Sequence, residues 1–166
     1  MDTKPADKLI DVLNKELAIY KDILKISRNK SDIIVKGRVS DLENITKLEQ
    51  TMIFQLGRLE GERERLVEEL AGGMGIKADE ITLSGLEEAL PEEQKEKLSR
   101  CRKQFSNTIK NLRDANALNS RLIKNSLDYI DFSINLLTYA GAAGNNYENS
   151  GQSKDGDRKN FFDMKL

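Results

Sequence analysis

Catalysis on this chain would have to begin at Cys101, because the sequence holds one cysteine and no histidine. Histidine is the commonest general base near neutral pH and the commonest metal ligand. A thiol without an imidazole beside it lacks the usual route to a thiolate. Cys101 also falls on an apolar helical seam, where it reads as inert core that forms no internal disulfide. Carboxylates are plentiful, but Glu68 and Glu69, or Glu92 and Glu93, are sequence neighbours that point different ways around a helix. Carboxylate metal sites in helical bundles normally recruit a Glu-x-x-His spacing, which this sequence cannot supply. Gly72, Gly73 and Gly75 suggest a phosphate loop, yet no Lys-Ser/Thr pair follows them and no strand precedes them. No enzyme, no cofactor and no metal are expected.

Binding is the chemistry that remains, and charge narrows its kind. The 28 acidic and 27 basic residues nearly cancel and are interspersed, so no basic stripe exists to hold nucleic acid. No apolar run approaches the ~18 residues of a membrane span, and the N-terminal stretch lacks a signal peptide's apolar core. A cytoplasmic protein without membrane insertion is the expectation. Charged residues make up 33% and aromatics 5%, with two prolines and no tryptophan, a composition suited to helices and coiled coils. The expected fold is all-α: an antiparallel helical hairpin plus a long third helix, making a three-helix coiled-coil bundle, with a disordered tail.

Apolar spacing places the first helix at about 6–35. One seam is Ile10, Leu13, Leu17, Tyr20 and Leu24; a second is Val12, Ile19, Ile23, Ile26 and Ile33. Two stripes on one helix require two neighbours, or one neighbour and a partner. Gly37 stops this helix, and Ser40 with Glu43 has the spacing of a capping box opening the next, at about 41–71. Its seam runs Leu42, Ile45, Leu48, Met52, Leu56, Leu59, Leu66 and Leu70, with Arg63 interrupting; the charges of 60–69 read as a solvated face. Residues 72–90 form a linker with one short helix, capped by Ser84 and Glu87 and tucked in by Leu83, Leu86 and Leu90.

Pro91 opens a third helix at about 91–140, with Gly141 the next breaker. It is ~75 Å long against ~45 Å for each hairpin helix, so part of it overhangs or finds cover elsewhere. Its early seam is Leu98, Cys101, Phe105, Thr108, Leu112, Ala115, Asn119 and Leu122. Beyond Leu122 a different line strengthens, Ile123, Leu127, Ile130, Ile134 and Leu137, centred roughly 100° around the helix. Tyr129, Phe132 and Leu136 widen the apolar arc, leaving Lys124, Asp128, Asp131 and Asn135 a narrow polar back. Either the hairpin or a second copy of the chain buries this stripe, as in a structural or scaffold homodimer, or an amphipathic partner helix lies along it. Asn116 and Asn119, on or beside the seam, fit a role in register or partner choice.

The helical domain spans 1–144 and a flexible tail 145–166. The tail is polar and glycine-rich, yet it carries Phe161, Phe162, Met164 and Leu166, either an idle terminus or a docking motif.

Residues 112–123, which run Leu112, Arg113, Asp114, Ala115, Asn116, Ala117, Leu118, Asn119, Ser120, Arg121, Leu122, Ile123, resemble the signature segment of the FlgN-type flagellar secretion chaperones. The order of parts is similar too: helical hairpin, Glu/Arg-rich stretch, variable linker, long helix and polar tail. Tyr139, Ala140, Gly141, Ala142, Ala143 and Gly144 resemble the family's tyrosine and glycine turn, with the small residues ordered differently. The resemblance implies a chaperone that binds the C-terminal amphipathic helices of flagellar hook-associated proteins, which join hook to filament. It would prevent their premature assembly and deliver them to the flagellar type III export gate. On that resemblance Asn116, Asn119, Leu122, Ile123, Leu127, Ile130, Ile134 and Leu137 would hold the client and Tyr139 would contact the gate.

Overall fold

The computed structural model describes residues 4–145, with side chains as far as residue 141. These residues are helical almost throughout, and no strand occurs among them. Four α-helices follow one another, α1 Lys4–Val35, α2 Val39–Met74, α3 Leu83–Ala89 and α4 Glu92–Asn145, with a 3₁₀ turn at Ala78–Glu80. The chain divides into two compact units, Met1–Ser126 and Leu127–Leu166.

In the first unit α1 and α2 lie antiparallel. Glu16 pairs with Arg63 and Lys30 with Glu49, so positions that rise along α1 fall along α2. The turn between them needs a left-handed residue, and Gly37 supplies it at φ 63°. With Gly37 in that conformation, Arg38 N–H returns to Ile33 O and helix resumes at once at Val39. Ser40 therefore sits inside the first turn rather than before it, and the expected capping box does not form. Arg38 and Asp41 close that end as an ion pair, and Glu43 pairs with Lys47 instead.

The end of α2 also differs from expectation. Helix continues through Gly72 and Gly73 and stops at Gly75, φ 70°, where Ile76 N–H donates to Ala71 O at 3.1 Å. Only the third glycine adopts a conformation that side chains resist. Helix α3 is capped by Thr82, whose Oγ1 accepts from Gly85 N–H at 3.0 Å, rather than by Ser84. Glu87 is thereby free to receive Arg102 of α4 through both guanidinium arms, at 2.8 and 3.3 Å. Leu86 and Leu90 are buried, while Leu83 stays exposed.

Helix α4 runs parallel to α1 in this unit. Asp7 meets Gln94, Lys21 meets Gln104, and the Tyr20 and Phe105 rings meet edge to face at 5.3 Å. Both stripes of α1 are thus used, one neighbour being α2 and the other α4. The core joins Leu9, Leu13 and Leu17 to Leu66, Leu70, Leu86 and Leu98. Gly141 does not end α4, which continues to Asn145. A glycine with open space around it lowers helical propensity by ~1 kcal/mol but does not by itself break a helix.

Candidate functional site

Two places in the first unit gather polar side chains. One is a cavity of about 300 Å³ lined mainly by Leu13, Leu56, Leu98 and Phe105, with Glu16, Arg63 and Cys101 also on its wall. Glu16 is almost fully buried, and burial pushes its carboxyl above the ordinary 4.5; Arg63 opposes the shift and Glu60 adds to it. Arg63 Nε lies 3.5 Å from Glu16 Oε1, an ion pair too loose for a hydrogen bond, and its other arm reaches Glu60 at 3.2 Å. Arg63, the residue that interrupts the α2 seam, is therefore turned towards a buried acid. Cys101 is core, and burial raises its thiol above the ordinary 9.0, which disfavours the thiolate. Glu60 and Arg102 line the cavity as well, so two acids and two guanidiniums converge on it, Arg63 lying between Glu16 and Glu60 and Arg102 pairing with Glu87. Among the described residues no group of three or more acidic or cysteine side chains is placed to hold a metal.

The second place is a polar ladder between α1 and α4. Ser27 Oγ donates to Asn116 Oδ1 and Ser31 Oγ donates to Asn119 Oδ1, each at 2.7 Å. Asn119 Nδ2 donates to Ser27 O at 2.7 Å and to Ser27 Oγ at 3.2 Å. Asn119 and Ser27 are buried, whereas Asn116 has one open side. Neither serine was singled out from the sequence, although the signal was present. The α1 seam steps by three and four from Ile10 to Leu24, and the same steps continue to Ser27 and Ser31. Polar residues at facing seam positions fix register because a slip would leave each donor and acceptor buried and unpaired. In the first unit Leu122 is half-buried and Ile123 is exposed.

The second unit has a different surface. Leu127, Ile130, Ile134 and Leu137 are all exposed, from 43% at Ile134 to 72% at Leu137. They repeat at three and four residues and so share one face of α4. Tyr129, Phe132 and Leu136 are exposed as well, and Tyr139 is 77% exposed. Seven large apolar side chains within eleven residues exceed the scattered exposure usual on a protein surface. Ser133 and Thr138 donate their hydroxyls to carbonyls four residues back, so they add little polarity to the surface. Among the described residues no helix is long and apolar enough to cross a membrane. Phe161, Phe162, Met164 and Leu166 lie outside the described residues.

A family model described as FlgN protein matches residues 1–155. A relative named "Uncharacterized protein YvyG", from Bacillus subtilis (strain 168), is 23% identical over 132 residues, 80% of each chain. No solved structure matches this chain.

Proposed function

This chain belongs to the FlgN family of flagellar export chaperones, and from that premise we propose that it carries hook-associated proteins by their C-terminal amphipathic helices. The observation that carries this reading is the exposed stripe Leu127, Ile130, Ile134 and Leu137. A client helix laid along it would bury apolar surface at about 25 cal/mol per Å², less the cost of ordering both partners. A cargo that must be released suits a Kd near micromolar, about −8 kcal/mol. Binding hides the client's own assembly surface until the export gate takes it, so the cycle is association and release with no covalent step.

Within this reading Ile123 adds a contact, and half-buried Leu122 backs it. Asn116 and Asn119 serve the client at one remove, since the bonds to Ser27 and Ser31 hold α4 in register on α1. Tyr139, exposed and beyond the stripe, is assigned to the export gate. Tyr139→Ala should therefore leave client binding intact and stop export. Co-expression tests the central reading: a tagged chain should retain a full-length hook-associated protein and lose it once that protein's last helix is deleted. Equal retention of both would place the contact elsewhere. A homodimer that leaves the stripe unavailable would overturn the proposal in favour of a structural coiled coil.

A further inference from the structure

The α2 seam steps from Leu59 to Leu66 across Arg63, and the cavity of about 300 Å³ in the first unit lies at that interruption. Leu13 of α1, Leu56 of α2 and Leu98 and Phe105 of α4 supply its apolar wall. Leu98 is fully buried, and Glu87 holds Arg102 through both guanidinium arms, so the wall is preformed. A volume of this size stands at the lower end of the range for small-molecule sites. The polar part of the wall is less settled. Glu16 has a side chain only 6% exposed, and Arg63 Nε stands 3.5 Å from its Oε1 without bonding it. That Nε is buried and finds no acceptor among the described residues, although the other arm of Arg63 reaches Glu60. A buried charged donor without an acceptor is uncommon and costly.

The charges on the wall balance, Glu16 and Glu60 against Arg63 and Arg102. An ammonium group entering here would meet Arg63 and a carboxylate would meet Glu16, each at short range and in repulsion. A hydroxyl suits both neighbours, since one oxygen accepts a hydrogen bond and donates another. Nε and Oε1 lie 3.5 Å apart, so an oxygen ~2.8 Å from each fits between them. Water makes the same two bonds but leaves the apolar wall wet, which an apolar body attached to the hydroxyl relieves. We propose that this cavity binds a small neutral alcohol or phenol, whose hydroxyl accepts from Arg63 Nε–H and donates to Glu16 while its apolar body lies against Leu13, Leu56, Leu98 and Phe105. The site is built wholly from residues of the first unit and does not rest on the client reading.

Methyl NMR of the full chain tests this with para-cresol as the probe and toluene as its hydroxyl-free counterpart. Para-cresol should shift the methyls of Leu13, Leu56 and Leu98 saturably and leave those of Ile130 and Ile134 in place. Toluene should bind there about 10-fold more weakly, the scale of a hydrogen bond to a charged group. Glu16→Leu with Arg63→Met removes both charges together, an exchange that folds commonly tolerate, and should abolish the preference for para-cresol while both probes still bind. Cys101→Leu extends a side chain from the cavity wall into its space and should weaken both probes alike. No saturable shift with para-cresol, shifts confined to Ile130 and Ile134, or equal binding of toluene to the unaltered chain overturns the proposal and leaves water as the occupant. A preference that survives in the folded double variant, or binding untouched by Cys101→Leu, overturns it as well.

Discussion

Single residues carry more of this fold than their number suggests, and Asn119 is the clearest case. Its amide donates to Ser27 and its oxygen accepts from Ser31, all at a seam position closed to water. Asn119→Ala should cost about 1–3 kcal/mol in urea unfolding, because it orphans buried polar groups rather than merely removing a bond. Asn116→Ala should cost less, since water can reach that side. Glu16 gives a prediction in pH. Burial raises its native value above 4.5, so the folded chain keeps a proton that the unfolded chain has already lost. Its contribution to stability is full below pH 4.5 and falls as pH rises through the raised native value. Glu16→Gln should flatten that fall, seen as a smaller difference in melting temperature between acid and neutral buffer. Seam spacing alone was enough to mark Asn119 as a polar intruder and Cys101 as core. The partners of Asn119 were hidden because a serine in a helix reads equally well as exposed; only the continued three-four count pointed inward.

At the scale of elements, two glycines two residues apart should respond in opposite directions. Gly73 is helical with open space around the missing Cβ, so Gly73→Ala should stabilise the chain by about 0.5–1 kcal/mol. Gly75 stands at φ 70°, so Gly75→Ala should destabilise by roughly 1 kcal/mol or more, read from the same chemical melts. The sequence shows three glycines within four residues and cannot say which one turns the chain. Caps were misread for a related reason. The spacings of Ser40 with Glu43 and of Ser84 with Glu87 are correct for a capping box, but spacing says nothing of where φ leaves the helix. Gly37 started α2 early enough to swallow Ser40, and Thr82 preceded Ser84 as a cap. Helix type and number were legible because apolar residues recur at three and four over many turns, a signal that boundary chemistry does not blur.

At the scale of the whole molecule, the buried apolar residues described all belong to the first unit, which also exposes Val39, Ile53 and Phe54 on α2. In the first unit the lines read from the sequence are buried in part, at Ile10, Leu13 and Leu17 of α1, Leu66 and Leu70 of α2, and Leu98 and Cys101 of α4, while Leu48 of the α2 line is exposed. In the second unit an equally regular line is exposed. Periodicity could find both lines and could not tell which lacked a cover, since a helix facing a neighbour and a helix facing a future partner are written alike. Exposure makes a mutational test clean here. Ile130→Asp with Ile134→Asp removes apolar contact from a face that is already in water, so folding stability should change by no more than about 0.5 kcal/mol. The measurement that bears most directly on the account is a calorimetric titration of the full chain with a ~40-residue peptide from the C-terminal end of a hook-associated protein, long enough to form a stable helix. The account predicts heat of binding with a Kd near micromolar, abolished by the paired aspartates while helical circular dichroism and melting stay unchanged. Undiminished binding to the paired variant would contradict it and move the client to another face.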